Sequence, residues 1–314
     1  MLKVCLVGVG GISRVHIPAW QRIPEVELVG ICDIRPEQMA KYNDAPMHQY
    51  TDFEEMMDAE QPDILDICLP TFLHAEYIRR GIARGVHVLC EKPISLHRDE
   101  VAGLYAAAKE RGVKLMIAQV LRFWPEYVFV KKALDEGTYG KLLQGEMHRI
   151  GATPAWSWDN WMTDCARSGL AALDLHVHDL DFLVYTLGAP EKTDFRRDTL
   201  NGSDALRAVY HFANGADVTA FAAWYKGDHP FLSGFRFHFE RAVIETVPGG
   251  LTVYPVEGES FTVKPGEATG EAAINLPATD AYYEEIRYFT DRVLDGGDIL
   301  VKPEELETVL SILE

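Results

Sequence analysis

The chain has 314 residues, 47% of them hydrophobic and 25% charged, which is ordinary globular composition and enough length for two domains. Its 48 acidic and 30 basic residues give a formal net charge of −18 without any Lys/Arg-rich run, so nucleic-acid binding is disfavoured. No apolar run approaches the ~18 residues of a membrane span, and the first run stops at a glycine cluster, which argues against a signal peptide.

The first 120 residues alternate between short apolar runs and amphipathic stretches. The runs do not alternate between apolar and polar residues, which is typical of strands buried on both faces of a parallel sheet. In the stretches between them, the apolar residues recur at helical spacing. This order predicts an α/β domain over residues 1–122, with a doubly wound parallel sheet of the Rossmann type. The predicted strands are Lys3–Val7, Glu27–Cys32, Ile64–Leu69, Val86–Cys90 and Lys114–Val120, and the predicted helices are Ile12–Arg22, Glu37–Tyr42, Phe53–Asp58, Ala75–Arg84 and Asp99–Arg111.

The five cysteines form no Cys-x-x-Cys pair, and their number is odd. Four of them fall inside the predicted strands of the first domain. Reduced, buried thiols in a cytoplasmic protein are the expected reading.

The pattern changes after about residue 125, and residues 123–314 are predicted to form an α+β domain with a mainly antiparallel sheet. Strands separated by turn signals run from Glu191 to about Val263. Before them we expect helices at 125–136 and 170–187 and a strand at 141–150, and after them a helix at 279–294. Ser168 is the expected N-cap of the second helix, and Gly188 ends it. The turn signals are Asn201-Gly202, Asn214-Gly215 and Pro248-Gly249-Gly250.

The predicted strand Asp217–Tyr225 is largely apolar on both faces. A sheet with one wet face alternates more clearly, so we expect helices on one face and a subunit partner or loop on the other. This predicts a homodimer or homotetramer. The chain stops at Leu313-Glu314 within a helix-like run, so a short tail is expected beyond it.

The first predicted strand leads into Gly8-Val9-Gly10-Gly11-Ile12-Ser13, a G-x-G-x-x-G/A pattern with serine in the last position. Gly8 permits the tight turn, Gly10 lets the backbone approach a pyrophosphate, and a small residue at position 13 allows helix–strand packing. The helix that begins there directs its N-terminal N–H groups at the phosphates. Glycines also form ordinary turns, but the position between strand and helix favours a dinucleotide site that includes Gly11 and Ile12.

Asp33 follows the second predicted strand, 20 residues after Ser13, where a ribose-binding carboxylate is expected. Such a carboxylate accepts both ribose hydroxyls of NAD and repels the 2′-phosphate of NADP. Arg35 lies two residues on and is suited to grip a phosphate or stack on adenine. We therefore favour NAD as cofactor and keep NADP open; the alternative is that Asp33 is a turn or cap residue.

Two further segments lie at the carboxyl ends of predicted strands, where ligands bind in an open α/β sheet. One runs from Leu69 through Pro70 and Thr71 to His74, and the other is Glu91-Lys92-Pro93. Pro93 keeps Lys92 out of the helical region, so the lysine is presented at a strand tip. The alternative is a solvated lysine. Pro70, Thr71, His74, Glu91 and Lys92 are therefore assigned to the cofactor site.

Together with Asp174 and His178, these motifs resemble the glucose–fructose oxidoreductase/inositol dehydrogenase/rhizopine catabolism (Gfo/Idh/MocA) family over essentially the whole chain. The resemblance implies a nucleotide-binding domain followed by a domain with a large open sheet. It implies NAD(P)-dependent oxidation or reduction of sugars, polyols and related carbonyl compounds. It also implies that Lys92, Asp174 and His178 line the active site, and it adds Gln119 to the cofactor site and Arg122 as a contact to substrate or cofactor, or as a link between the two domains.

The chemistry of these side chains agrees with that role. Removing a hydride from a carbinol carbon requires the hydroxyl proton to leave, and His178, with an ordinary pKa of ~6.5, is suited to accept it. The Lys92 ammonium stabilises developing alkoxide charge. Asp174 shares a helix face with His178, four residues away, and either orients it or binds a second substrate hydroxyl.

The sequence departs from the family pattern in two places, and both bear on substrate identity. His176 stands where a glycine is common, and Ser168-Gly169-Leu170 partly replaces glycines. A metal is not expected, because His176 lies ~200° around the helix from Asp174 and two ligands on one face are too few. Aromatic faces suit the C–H surface of sugars, so Trp161 is a candidate substrate residue, with Trp156 and Trp158 beside it; core or subunit packing is the alternative.

Two rival functions remain open at this point. A redox-neutral lyase or glycosidase would oxidise a sugar hydroxyl only transiently, consume no net NAD and release a leaving group. A non-catalytic sensor would bind the dinucleotide and a partner protein, and it would not need Lys92 and His178 together.

Overall fold

The computed structural model describes residues 1–200, 203–264 and 279–314, and the chain divides into two compact units. The first unit contains residues 1–120 and a later segment that ends at residue 303; the second begins at residue 121 and includes residues 304–314. The sequence predicts a single boundary after residue 122, whereas the structure assigns the helix Ala281–Asp295 to the first unit.

The first unit is built on a six-stranded sheet in which all neighbours are parallel, in the order β3-β2-β1-β4-β5-β6. The prediction of a doubly wound parallel sheet is confirmed. The edge strand β3 is not among the predicted strands, because its three residues are polar and too few for a periodic signal. The strands are β1 Leu2–Val7, β2 Val26–Cys32, β3 His48–Tyr50, β4 Ile64–Ile67, β5 His87–Glu91 and β6 Leu115–Ala118.

Six α-helices lie in the described part of this unit, and the last of them packs on the first. Arg22, at the end of α1, donates to Asp280 at 2.8 Å just before α9 begins. Because the strands are parallel, the carboxyl ends of β1, β4 and β5 lie at the same edge of the sheet. The strand order reverses between β1 and β4, which is where ligands bind in open α/β sheets. The helices are α1 Ser13–Gln21, α2 Pro36–Met39, α3 Phe53–Glu60, α4 His74–Ala83, α5 Asp99–Arg111 and α9 Ala281–Asp295.

The second unit is built on an eight-stranded sheet in the order β14-β13-β12-β11-β7-β10-β9-β8. It is mainly antiparallel, as predicted, but its central pair β7 and β10 is parallel. Gly215 and Gly249 occupy predicted turns and have φ angles of +86° and +81°. The predicted turn Asn201-Gly202 lies outside the described residues. The strands are β7 Leu142–Ala152, β8 Lys192–Leu200, β9 Ser203–His211, β10 Asp217–Tyr225, β11 Leu232–Phe239, β12 Ala242–Val247, β13 Gly250–Pro255 and β14 Phe261–Val263.

Helices cover one face of this sheet. The helix predicted at 170–187 is present, but its first part, Ala172–His176, is π-helical. This segment contacts β10, whose residues Val218, Ala220 and Ala222 are fully buried on that side. Across the described ranges, none of the helices is both long and apolar enough to cross a membrane. The remaining helices are α6 Pro125–Asp135, α7 Cys165–Ser168, α8 Val177–Leu187 and α10 Pro303–Leu313.

Candidate active site

In the turn after β1, Gly8 and Gly10 have different surroundings. Gly8 has a φ of +94°, and a Cβ there would lie 2.5 Å from the carbonyl oxygen of Cys68, so only glycine fits. At Gly10 a Cβ would meet no protein atom within 4 Å, which leaves its backbone open to a ligand. Ser13 is fully buried, and its hydroxyl donates to the carbonyl of Gly10 at 2.8 Å. Buried contacts of Gly8 and Ser13 therefore fix the turn, while the backbone at Gly10 stays accessible to a ligand.

Asp33 follows β2 directly and is 7% exposed. One carboxylate oxygen accepts the N–H of Val9 at 2.9 Å, so the acid is tied to the glycine turn. The other accepts the N–H of Arg35 at 2.9 Å and lies 3.3 Å from its Nε. The turn, the acid and a partly exposed guanidinium therefore form one connected group.

His74 joins the loops that follow β4 and β5. Its Nδ1 lies 2.6 Å from the carbonyl oxygen of Pro93, and its Nε2 lies 2.8 Å from that of Leu69. Burial lowers the pKa of the ring, while the two carbonyl contacts oppose that effect. Pro70 precedes the helical turn Thr71–Leu73, after which α4 begins at His74. The ring is buried between the loops, so its contacts hold them together.

Gln119 follows β6 and is almost fully buried. Its amide nitrogen has no hydrogen-bond partner among the described residues. A buried donor without a partner is costly, so this side chain is suited to meet a bound ligand.

A buried polar network lies beneath these loops, and sequence reasoning missed most of it. His16 on α1 is fully buried, with Nδ1 2.8 Å from an oxygen of Asp66 and Nε2 3.0 Å from an oxygen of Glu91. Trp20 donates to the same Asp66 oxygen at 2.7 Å. The available signal was Asp66 itself, because a carboxylate inside the apolar strand β4 requires a partner.

In this network, opposite charges favour each other's ionised form. Burial alone lowers the pKa of His16, but the charge of Asp66 and the hydrogen bond to it outweigh burial and raise that pKa well above its ordinary value. Burial likewise raises the pKa of Glu91, but the hydrogen bond from His16 and its charge lower it overall. The network therefore contains an imidazolium between two carboxylates.

The donor atoms of His16, Asp66 and Cys68 lie within 4.8 Å of one another, close enough to raise the question of a metal. Burial raises the pKa of the Cys68 thiol to about 12, and a thiol that keeps its proton is a poor ligand. The remaining donors are engaged in the hydrogen bonds already described. The absence of a metal stays a prediction.

In the second unit, the helix that contains the π-helical segment is buried on almost every side. Between residues 171 and 184, only Asp174 and His178 are even partly exposed. π-Helical turns inside longer helices frequently mark functional sites. The structure therefore brings these two predicted residues to one narrow open strip.

His176 lies between the two in sequence but belongs to the interior. Its Nε2 is 2.6 Å from the hydroxyl oxygen of Tyr210, and burial lowers its pKa to about 4. Asp179 is also buried and accepts from Arg149 at 2.9 Å. His176 is thus a neutral packing residue.

The prediction that Ser168 is the N-cap of the helix at 170–187 is wrong. Ser168 is the last residue of α7, and Gly169 turns the chain between the two helices. The N-cap is Ala171, whose N–H donates to Asp204 at 2.8 Å.

The tentative substrate residues differ in exposure. The Arg122 guanidinium is buried and donates to both oxygens of Asp181, at 2.9 and 2.7 Å, and to Glu305 at 2.8 Å. Trp161 packs against an apolar cluster formed by the residues Met162, Leu170, Ala171, Ala172, Leu175, Leu206, Ala222 and Trp224. Its neighbours Trp156 and Trp158 are 58% and 39% exposed. The loop therefore presents those two tryptophans.

The predicted catalytic residues are divided between the units. Lys92 follows β5 in the first unit, whereas Asp174 and His178 belong to the second. Their convergence on one substrate stays a prediction.

Two family descriptions match consecutive parts of the chain. Residues 2–119 match an oxidoreductase family with an NAD-binding Rossmann fold, and residues 127–245 match the GFO/IDH/MocA C-terminal domain. Among solved structures, levoglucosan dehydrogenase in complex with NADH and levoglucosan superposes with a TM-score of 0.86 at 21% identity, over 99% of this chain and 95% of that one. At that identity the likeness concerns the fold.

Several curated proteins are similar to this chain in sequence. A dTDP-3,4-didehydro-2,6-dideoxy-alpha-D-glucose 3-reductase from Actinomadura kijaniata is 30% identical over 94% of this chain and 88% of its own length. Inositol 2-dehydrogenase from Rhizobium meliloti is 29% identical over 58% of this chain and 54% of the relative. A 2,7-anhydro-N-acetylneuraminate hydratase from Mediterraneibacter gnavus is 29% identical over 54% of this chain and 44% of its own length. The chain spans about half the length of several other curated relatives. The chain belongs to the GFO/IDH/MocA oxidoreductase family.

Proposed function

We propose that this protein is an NAD-dependent dehydrogenase or reductase that acts on a CH–OH group of a sugar, polyol or related carbonyl compound. The observation that carries the proposal is that, between residues 171 and 184 of a largely buried helix, only Asp174 and His178 reach solvent. The names of the relatives, among them a sugar 3-reductase and an inositol dehydrogenase, support the substrate class.

The residues of the first unit fit a dinucleotide. Gly10 leaves room where a Cβ would stand, and Gln119 has a buried amide nitrogen that needs a partner. Together with Gly11, Ile12 and Asp33, these residues would hold the cofactor, which when bound supplies the hydride acceptor or donor. Asp33 favours NAD over NADP because its carboxylate repels a 2′-phosphate. Arg35 beside it keeps NADP open.

The chain's own groups handle the proton and the charge. His178 takes the hydroxyl proton during oxidation and returns it during reduction. The Lys92 ammonium hydrogen-bonds the same oxygen and stabilises the alkoxide that develops on it. Asp174 orients His178 or binds a neighbouring hydroxyl. Exposure favours Trp156 and Trp158 over Trp161 for contact with the C–H surface of a sugar.

Two alternative functions are a redox-neutral reaction and a non-catalytic sensor. A redox-neutral reaction is favoured by the name of one relative, a hydratase, and a dinucleotide-binding sensor needs no turnover at all. Release of a leaving group without net NADH would identify the first, and binding without any product would identify the second.

The test is a fluorescence titration with NADH and NADPH, followed by a panel of polyols and aldoses scored by nicotinamide absorbance and by product analysis. Tight NADH binding with net turnover is the expected result. If Lys92→Ala and His178→Ala both kept full turnover, the catalytic assignment would be wrong. If neither nucleotide bound, the cofactor assignment would fail as well.

We also propose that the protein is a cytoplasmic homo-oligomer. The free state of all five cysteines, four of them buried, supports the location. The assembly is supported by apolar residues on the face of the second sheet that the helices leave uncovered, among them Ile150, Phe221 and Leu232.

A further inference from the structure

We infer that His16 is a positioning residue for Lys92, and that it acts through the carboxylate of Glu91. This inference rests on the proposed function, because it assumes that Lys92 contacts the substrate oxygen. His16 itself does not need to touch the cofactor or the substrate.

A continuous set of buried contacts connects the two residues. Trp20 donates to Asp66, which lies 2.8 Å from Nδ1 of His16, and Nε2 of His16 lies 3.0 Å from one oxygen of Glu91. The other oxygen of Glu91 accepts the backbone N–H of Lys92 at 3.1 Å. Both carboxylate oxygens of Glu91 are therefore used, one toward His16 and one toward Lys92.

The histidine suits this place because both of its neighbours are acceptors. An ionised carboxylate only accepts hydrogen bonds, and an imidazole donates from both nitrogens only when it is protonated. A neutral ring would turn a lone pair toward one carboxylate. The raised pKa of His16 agrees with the geometry, and complete burial prevents water from replacing either contact.

The backbone at Lys92 is fixed on both sides. Glu91 accepts its N–H, and on the other side the ring of His74 lies 2.6 Å from the carbonyl of Pro93. A lysine ammonium stands at the end of four flexible carbons, so its average position depends strongly on where its backbone is held. If His16 is removed, the Glu91 carboxylate loses its buried counter-charge and one of the contacts that fix it, so it holds the N–H of Lys92 less firmly.

The principal experiment compares His16→Gln with the unaltered protein, on the polyol or aldose that the panel identifies. We expect kcat to fall about tenfold or more, since small misplacements of catalytic groups carry costs of this size, while the NADH Kd stays within about threefold. The control is His87→Gln, at the opposite end of the same strand, where kcat should be unchanged. An unchanged kcat in His16→Gln would overturn the inference.

A double-mutant cycle tests the route. If His16 acts through Glu91 and Lys92, then His16→Gln should add less than about twofold to the loss in kcat already caused by Glu91→Gln or by Lys92→Ala. Additive losses would mean that His16 acts elsewhere. Full turnover in Lys92→Ala would instead defeat the proposed function, whereas loss in Lys92→Ala with none in His16→Gln would defeat only this inference.

Hydrogen exchange gives a readout that needs no substrate and no turnover. In the NADH-bound protein, Asp66→Asn keeps the His16–Glu91 contact but removes one of the two charges that hold the ring. The amide of Lys92 should exchange faster by about tenfold, while peptides from β1 and β2 are unchanged. Unchanged exchange at Lys92, or a stoichiometric metal in the purified protein that is lost with Asp66→Asn, would contradict the assignment.

Discussion

At the scale of single residues, Gly8 is required for the fold of the first turn, whereas Gly10 is expected to matter for cofactor binding. Gly8→Ala should destabilise the fold by about 2 kcal/mol or more, because φ is +94° and the new Cβ overlaps a carbonyl oxygen. Gly10→Ala should leave stability within about 0.5 kcal/mol but raise the NADH Kd about tenfold, since its Cβ would occupy space meant for the pyrophosphate. Urea unfolding and fluorescence titration measure the two effects. Equal NADH affinity in Gly10→Ala and the unaltered protein would count against a phosphate at that turn.

Cofactor choice is also decided at this scale. Asp33→Asn removes the negative charge but keeps an acceptor for the N–H of Val9. We expect the preference for NADH over NADPH, as a ratio of Kd values, to fall about tenfold. Glu37→Gln removes an exposed charge from the nearby first turn of α2 and should leave the ratio unchanged. If both variants changed the ratio equally, general charge rather than ribose recognition would explain it.

Residues with a local signature could be predicted, and residues defined by distant partners could not. The glycine turn, Asp33 and Lys92 follow from spacing along the chain. His16 meets Asp66 and Glu91 across 50 and 75 residues, and no local pattern encodes those contacts. Arg122 shows the same limit, because its partners Asp181 and Glu305 lie 59 and 183 residues away.

At the scale of elements, the helix at 170–187 could be predicted, but its π-helical part could not. Apolar spacing and the terminating Gly188 are local signals. The widened turn at Ala172–His176 is packed against β10, a strand more than forty residues later in the chain. This packing leaves Asp174 and His178 as the open strip, so the local geometry of the site depends on a contact that the sequence does not display.

Neighbouring residues on this helix should respond oppositely to substitution. His178→Asn should lower kcat at least a hundredfold, on the order of the contribution of a general base, with little loss of stability because the residue is partly exposed. Asp179→Asn breaks the buried pair with Arg149 and should cost about 3 kcal/mol of stability. Steady-state kinetics and urea unfolding on the two variants check this. A His178→Asn enzyme with normal kcat would remove the proposed base.

His176 should make the protein sensitive to acid. Its pKa is about 4 when folded against 6.5 ordinarily, so the unfolded chain binds the proton more readily and stability falls as the pH drops from 6.5 to 4. The full difference corresponds to about 3 kcal/mol. Urea unfolding across this range should give a flatter pH dependence for His176→Gln than for the unaltered protein. His97→Gln, at an exposed loop position, is the control, and parallel curves for all three proteins would contradict the prediction.

At the scale of the whole molecule, the two sheets were predictable because hydrophobic runs and turn residues are local. The parallel pairing of β7 with β10 was not, since it joins strands separated by α7, α8 and a hairpin. The place of α9 was not either, because its partner α1 begins at residue 13, and the contact between them is settled by packing and by Arg22 with Asp280.

The uncovered face of the second sheet predicts the state of assembly. Leu232, Ile150, Ala223 and Ala205 lie opposite one another on four adjacent strands, so they form an apolar row, in which Leu232 is 48% exposed, Ile150 and Ala205 are half-buried and Ala223 is buried. Contiguous apolar surface of this kind is usually covered by a partner. Light scattering should therefore give a mass at least about twice the 35.3 kDa of the chain.

Ile150→Lys places a charge in the middle of this row and should shift the protein toward monomer, because an unpaired buried charge opposes association. Val128→Lys, at a residue that is 45% exposed on α6, adds the same charge away from the sheet and should leave the mass unchanged. A mass of 35.3 kDa for the unaltered protein would contradict the assembly itself. An oligomer that survives Ile150→Lys would place the interface on another surface and leave the apolar row to be explained by something else.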